Sequence, residues 1–216
     1  MILKEIPIEA KKHLKGKWNK IAMIFLVYYI LYFAIMSLNF LKEYSGQVIF
    51  LIISGSIMIS LCRIYFAVIN NDDFDLNDLF YGFRYFVKAF CATILVTIYV
   101  LLWTLLLIVP GIIAGLSYSM VYFIITEHPE IGVSEALRQS KAMMKGHKWE
   151  LFLLHLTFIG WTVLGILSLG IGLLWIAPYI GVSVAVFYNK IRPVENTQSD
   201  NESEDHYDYN EIDKDD

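Results

Sequence analysis

The feature that most limits the fold of this chain is a set of six long apolar stretches. They occupy residues 20–40, 47–69, 87–109, 111–127, 150–168 and 171–190. About twenty mostly apolar residues suit a helix that crosses a bilayer. A helix also satisfies its backbone groups within itself, as lipid requires. The pattern therefore predicts an all-α, polytopic membrane protein with six transmembrane helices.

The turns between these stretches predict how the helices pair. The segments IVPGI (108–112) and SLGIG (168–172) contain almost no polar residues, which is typical of tight turns between adjacent spans. Pro110 with Gly111, and Gly170 with Gly172, are expected to break the helices there. We therefore expect three helical hairpins within a membrane domain that covers residues 1–193.

Charge indicates which side of the membrane each loop occupies. If the N-terminus is inside, fourteen Lys and Arg residues fall on inside segments and only Lys42 falls on an outside loop. Loops rich in Lys and Arg stay in the cytoplasm. We therefore expect a multi-pass protein of the cell membrane with both termini cytoplasmic.

A weak internal repeat accompanies the hairpins. Each one begins with a basic and aromatic stretch: LKGKWNK (14–20), FRYFVKAF (83–90) and MKGHKWELF (144–152). Each one ends with an aromatic pair, Tyr65-Phe66, Tyr122-Phe123 and Phe187-Tyr188. These features predict a three-fold hairpin repeat. Interfacial anchors needed at every hairpin would produce the same similarity without a repeat.

The segment VSEALRQSKAMMKGHKW (133–149) predicts an amphipathic interfacial helix over residues 134–148. Ser134 is its expected N-cap and Gly146 its expected C-cap. One face holds Val133, Ala136, Leu137, Ser140, Met143 and Met144. Cations near an inner leaflet attract anionic headgroups. The expected lipid-surface residues are Arg138, Lys141, Lys145 and Lys148, with Trp149 at the interface where the fifth span begins.

The C-terminal residues 194–216 differ from the rest of the chain. Within 195–216 there are ten acidic residues and one Lys, a net charge of −9, whereas the preceding 194 residues carry +5. A segment so charged and so poor in apolar residues buries too little surface to offset the entropy of ordering. We expect a disordered acidic tail.

Three polar side chains inside the predicted spans are candidates for an intramembrane polar site: Arg63, His155 and Tyr179. An ionisable residue within a span is a functional hypothesis by default. The ordinary interpretations are that Arg63 snorkels to headgroups or pairs with Glu127, and that His155 bonds to a neighbouring hydroxyl or carbonyl.

Small residues at every fourth position of the fourth span predict close packing against another helix. They are Gly111, Gly115 and Ser119.

Motifs for metal, cofactor or catalysis are lacking. Cys62 and Cys91 have no CxxC or Cys/His zinc spacing around them. The sequence also contains no phosphate loop, HExxH motif or nucleophile elbow. We therefore expect no metal, no cofactor and no enzymatic activity.

Four segments together resemble a known family: VPGIIAGLSYSM (109–120), EALRQSKAMMKGHKWELF (135–152), FIGW (158–161) and GIGLLWIAPYIGVSVAVFY (170–188). They are similar to a bacterial integral membrane family known as domain of unknown function 975. The resemblance covers roughly residues 1–192. It implies a multi-span protein of the cytoplasmic membrane and carries no known reaction. That family is distantly similar to the membrane region of some glycerophosphodiesterases, whose catalytic domain this chain lacks.

The expected function is a non-enzymatic one: binding a membrane partner or modulating the envelope, with anionic lipid headgroups as ligands. Another membrane protein or a further copy of the chain is the alternative kind of partner, and no nucleic acid is expected. The alternative function is a small transporter or channel for a lipid or an apolar solute. Its path would run past Arg63, His155 and Tyr179.

Overall fold

The protein is mainly helical in the residues that the computed structural model describes, 2–37 and 44–192, with short loops at 71–75 and 128–132. Six helical stretches in them are long and apolar enough to cross a membrane, which confirms the predicted fold class. They are α2 (Trp18–Ser37), α3 (Ser45–Asn70), α4 (Phe86–Leu106) with the 3₁₀ helix before it (Leu76–Tyr85), α5 (Ile108–Tyr118) with α6 (Val121–Glu127), α8 (Lys148–Leu167) and α9 (Leu173–Ile191). Residues 38–40 of the first predicted span and the predicted tail 194–216 lie outside the described residues.

A short helix precedes each hairpin and packs on another hairpin of the bundle. The 3₁₀ helix precedes α4 and packs on α3 and α2, while α7 (Val133–Met143) precedes α8 and packs on α4, α5 and α6. Helix α1 (Ile2–Leu14) precedes α2 and packs on α9 and α8. The contacts therefore run around the bundle as a closed ring, in which the first helix meets the last hairpin.

Helix α1 is an element that the sequence analysis did not predict. Its buried side consists of Ile6, Ala10 and Leu14, four residues apart, which is one face of a helix. Tyr179 of α9 donates a hydrogen bond from its hydroxyl to the Pro7 carbonyl oxygen at 3.0 Å. Lys190 of α9 forms an ion pair with Glu9 at 2.7 Å. These contacts join the two ends of the described chain.

The first and third hairpins correspond at their starts, where the short helix, the turn after it and the beginning of the next span match at an offset of 130 positions. Gly16 and Gly146 both adopt positive φ, at 83° and 93°, in the turn that follows the short helix. Only glycine adopts this conformation at little cost. The buried positions Ile6, Ala10, Leu14, Ile21 and Ile24 match Ala136, Ser140, Met144, Leu151 and Leu154, and all ten are at most 1% exposed.

Buried residues gather at one end of the bundle, which we call the core end. It is the end where α2, α4 and α8 begin and where α3, α6 and α9 finish. Toward the opposite end side chains are open: Leu105 at the tip of α4 is 83% exposed and Leu169 after α8 is 93% exposed. The hairpins therefore meet at the core end and expose apolar side chains, suited to lipid, toward the other.

The turn between α4 and α5 is not where the sequence suggested. The chain breaks at Leu107, which is extended with φ −160° and ψ 145°, whereas Pro110 and Gly111 lie inside the first turn of α5. A proline fits there because the first backbone N–H groups of a helix have no partner within it. The predicted break at Pro110–Gly111 was wrong, while the turn at residues 168–172 lies where it was expected.

Candidate functional site

Three aromatic rings meet at the core end, one from each hairpin. Phe66 of α3, Phe123 of α6 and Tyr188 of α9 lie with ring centroids 5.4 to 5.7 Å apart. Each ring is the second member of an aromatic pair singled out in the sequence. Aromatic pairs at these separations add to the energy of burial. This triad therefore fixes how the ends of the three hairpins sit together.

Glu127, the last residue of α6, connects α6 to the end of α9 beside the triad. One of its carboxylate oxygens accepts a hydrogen bond from the Tyr188 hydroxyl, and the other pairs with the Arg192 guanidinium. Both oxygens are thus engaged by α9 and the residue that follows it. The predicted pairing of Glu127 with Arg63 was wrong. Arg63 instead bonds to Asp78 at 3.2 Å, because the 3₁₀ helix packs along α3 and brings that carboxylate closer.

Ser140 ties α7 into the fourth span. That span is interrupted between Tyr118 and Val121, where α5 ends and α6 begins. The Ser140 hydroxyl donates to the Ser117 carbonyl oxygen at 2.8 Å and accepts from the Met120 amide at 3.3 Å. It therefore supplies two hydrogen bonds at a break in a span, where unpaired backbone groups are costly. The sequence analysis put Ser140 on the apolar face of the helix but did not predict these hydrogen bonds.

Replacing Ser140 by alanine should destabilise the fold by about 1–3 kcal/mol, the usual cost of leaving buried polar partners unsatisfied. Ser134→Ala is the matched control, because Ser134 is an exposed serine of the same helix. Chemical unfolding in mixed micelles would measure both. Equal stability of the two variants would contradict the role assigned to Ser140.

The helix predicted over 134–148 is shorter in the structure. Helix α7 ends at Met143, and Gly146 lies in the turn before α8. The N-cap position belongs to Gly132 and not to Ser134. Ala136, Leu137, Ser140 and Met144 are buried, as the periodicity suggested, while Val133 and Met143 are half-buried. Most of the predicted face is therefore buried although the helix itself ends at Met143.

The predicted lipid-surface residues lie on the outer side of this segment, and we call them the basic surface: Arg138, Lys141, Lys145, Lys148 and Trp149. Arg138, Lys141 and Lys145 are exposed and Lys148 is half-buried. Trp149 is 66% exposed and stacks on Phe152 at 5.3 Å.

Arg138 is already partly engaged by its own helix, since it forms two hydrogen bonds to Glu135, at 2.8 and 2.9 Å. That contact lowers the pKa of the Glu135 carboxyl below its ordinary value. Glu135 therefore stays ionised. The lysines carry most of the uncompensated charge of the basic surface.

An open cleft of about 980 Å³ lies beside the basic surface. The end of α6, helix α7, the turn after α7 and the end of α9 form its walls. Met143 and Ile131 contribute apolar side chains, and Glu127 lines it from the triad. Tyr188 of the triad also lines it, and its other polar lining residues are His128, Glu130, Gln139, Lys145, His147 and Arg192. The cleft thus joins the basic surface to the point where the described chain ends.

The structure does not bring the three intramembrane polar candidates together. Arg63 bonds to Asp78 and its guanidinium lies 4.4 Å from the centre of the Tyr81 ring. His155 is exposed, and its Nδ1 lies 2.9 Å from the carbonyl oxygen of Leu151, one turn earlier in the same helix. Tyr179 bonds to α1, as described above. Each side chain has its own local partner, as the ordinary interpretations anticipated for His155.

The small residues predicted to pack in the fourth span behave differently from one another. A Cβ on Gly111 would lie 2.8 Å from the Thr104 Cα, so this glycine does allow α4 and α5 to approach. A Cβ on Gly115 would meet nothing within 4 Å, and the Ser119 hydroxyl bonds to the Leu116 carbonyl of its own helix. The predicted packing role was wrong for Gly115, because that side of α5 faces open space.

Other glycines allow close contact between α3 and its neighbours. Helix α3 contacts α2, α4, α6 and α9. A Cβ on Gly55 in α3 would collide with the backbone of Ala89 and the side chain of Thr93 in α4, so the two helices approach closely here. Gly181 in α9 lies against the Tyr65 ring in the same way. Neither glycine was singled out in the sequence, although Ala177, Gly181 and Ala185 recur at every fourth position and could have indicated the packing role of Gly181.

Groups suited to metal binding do not occur in the part of the chain that the structure describes. No three His, Cys, Asp or Glu side chains come together there in a way that would hold an ion. Cys62 is buried and Cys91 is exposed, and both are free thiols.

One comparison with known proteins identifies relatives of this chain. A family model described as "Protein of unknown function (DUF975)" matches residues 1–114 and 104–195. The match confirms the family resemblance, while the distant similarity to the membrane region of glycerophosphodiesterases stays a prediction. No curated protein and no solved structure matches the chain.

Proposed function

Because the chain belongs to the DUF975 family, whose description names no activity, we propose a function from the geometry of its core end. The proposal is a non-enzymatic, multi-pass protein of the bacterial cytoplasmic membrane that binds anionic lipid headgroups through its basic surface. Through that contact it would modulate the envelope or dock a membrane partner.

The observation that carries the proposal is the anchoring of α7. Its inner side is buried on the bundle, and Ser140 bonds it to the broken fourth span. The exposed cations therefore form a fixed group. A fixed group of cations loses less entropy on meeting headgroups than side chains on an unanchored segment would.

The proposed side of the membrane follows from charge. The core end carries the short helices, and α1 with the turn after it adds Lys11, Lys12 and Lys15, all exposed at this end. Cytoplasmic segments collect Lys and Arg, so we place the core end and both termini in the cytoplasm. The inner leaflet, with its negative surface potential, would then face the basic surface.

The hydrogen-bond partners of Glu127 favour a binding role over a catalytic one, because a carboxylate with both oxygens engaged is poorly placed to act as a general acid or base. Of the acidic residues, this carboxylate is the one that the aromatic triad itself binds, and both its oxygens are engaged by Tyr188 and Arg192. The alternative, a transporter with a path past Arg63, His155 and Tyr179, gains no support, because the three side chains have separate partners.

Replacing Arg138, Lys141, Lys145 and Lys148 together by glutamine tests the proposal. Each cation near an anionic surface contributes about 1 kcal/mol at low salt, so affinity for phosphatidylglycerol should fall at least about tenfold. Phosphatidylglycerol and phosphatidylcholine would be titrated separately into the detergent-solubilised protein, with bound lipid counted by native mass spectrometry.

A charge-preserving variant is the control. Lys141→Arg, Lys145→Arg and Lys148→Arg together keep the positive charge and should keep the preference for phosphatidylglycerol. An unchanged preference in the glutamine variant would refute the proposed function.

A further inference from the structure

The described chain ends beside the basic surface. Arg192, its last described residue, lines the same cleft as Lys145, His147 and Met143. The rest of the chain therefore leaves the described structure at the wall of this cleft, next to the turn that joins α7 to α8.

The charges of the two regions are complementary. Residues 195–216 contain ten acidic residues and one Lys. On the other side, Lys141, Lys145 and Lys148 form no ion pair with any acidic side chain in residues 2–37 and 44–192. Within the part of the chain that the structure describes, the basic surface has one ion pair, the contact between Arg138 and Glu135 within α7.

Length allows the two regions to meet. A helix of eleven residues such as α7 is about 16 Å long, at 1.5 Å per residue. The residues after Arg192 extend up to about 80 Å at about 3.3 Å per residue. A segment joined to its target in this way acts at an effective concentration in the millimolar range. Single exposed ion pairs are weak, but ten carboxylates near a fixed group of cations add up.

We infer that the acidic segment 195–216 lies across the basic surface of its own chain and competes there with anionic lipid headgroups. The inference names a regulation of the proposed lipid site, and so it rests on the proposed function for its lipid half. Lipid binding would then require the acidic segment to be displaced, and conditions that weaken its charge would favour the membrane contact.

Docking is tested directly by zero-length cross-linking of carboxylates to lysines on the full chain in a neutral detergent at low salt. We expect cross-links from 195–216 to Lys141, Lys145 or Lys148, within monomers, that disappear at high salt because ionic screening removes the attraction. Cross-links that appear only between two copies, or equally at Lys11, Lys12 and Lys15, would overturn the inference.

Competition is tested with a full-length variant in which the ten acidic residues of 195–216 become their amides, so that length is unchanged. Its affinity for phosphatidylglycerol at low salt should rise about tenfold over that of the natural chain, a difference of 1.4 kcal/mol. At about 0.5 M salt, where screening is strong, the two should converge. A synthetic peptide of residues 195–216 added to the variant should reverse the gain.

The two proposals fail in different ways. If neither chain prefers phosphatidylglycerol, the proposed function falls, while the cross-links still support docking of the segment. If cross-links form but the amide variant binds lipid no better, competition is refuted. If no cross-link to the basic surface forms, the docking is refuted whatever the lipid measurements show.

Discussion

Replacing Met144 by aspartate is expected to destabilise the protein by about 3–5 kcal/mol, the cost of an uncompensated buried charge. The Met144 side chain is 0% exposed and lies where α7 turns into α8. A carboxylate there has no cation within the buried cluster to pair with, so it must break the packing of α7. The free energy of unfolding, from denaturant titration in mixed micelles, would show the loss.

Met143→Asp is the matched control for this prediction. Met143 is only half-buried and lines the open cleft, so a carboxylate at this position still reaches water. We expect a loss of roughly 1 kcal/mol, close to an average substitution. Equal losses in the free energy of unfolding would show that the burial of Met144 is not what keeps α7 packed on the bundle.

Replacing Gly55 by alanine should cost about 3 kcal/mol, at the upper end of the range for overpacking. A Cβ at this position would lie 2.8 Å from the Ala89 carbonyl carbon and closer still to its oxygen. Because this neighbour is backbone in a facing span, it cannot move aside without separating α3 from α4. The same unfolding measurement applies, with the yield of monodisperse protein as a second readout.

The control for Gly55 is Gly115→Ala. Gly115 is also a helical glycine in a span, but a Cβ there would meet nothing within 4 Å. Alanine is the better helix former by about 1 kcal/mol, so this variant should be as stable as the natural chain or slightly more. A loss at 115 as large as the loss at 55 would show that neither glycine acts through close packing.

Hydropathy predicted the six spans well because span length is set by the bilayer and not by contacts within the protein. Helical periodicity also predicted which side of α7 is buried, including Ala136, Leu137 and Met144. Both properties are local, since they depend on residues a few positions apart.

Properties that depend on distant partners were harder to predict. The partner of Arg63 was assigned wrongly, because the sequence analysis did not predict that the 3₁₀ helix that carries Asp78 packs along α3. Gly115 was included in a packing stripe from its spacing alone, although spacing does not say which side of a helix faces a neighbour. Helix α1 was not predicted, because only Ile6, Ala10 and Leu14 mark its buried side and Pro7 lies inside it.

The closed ring of contacts has a consequence for how the protein is made. Helix α1 is synthesised before the spans, but most of its contacts are with α9, which is synthesised after the other five spans. Until α9 has entered the membrane, the buried side of α1, with Ile6, Ala10 and Leu14, lacks most of its native cover. The fold around α1 is thus completed only after α9 has been synthesised, and a chain truncated before α9 would remain recognisable to quality-control proteases by the uncovered side of α1.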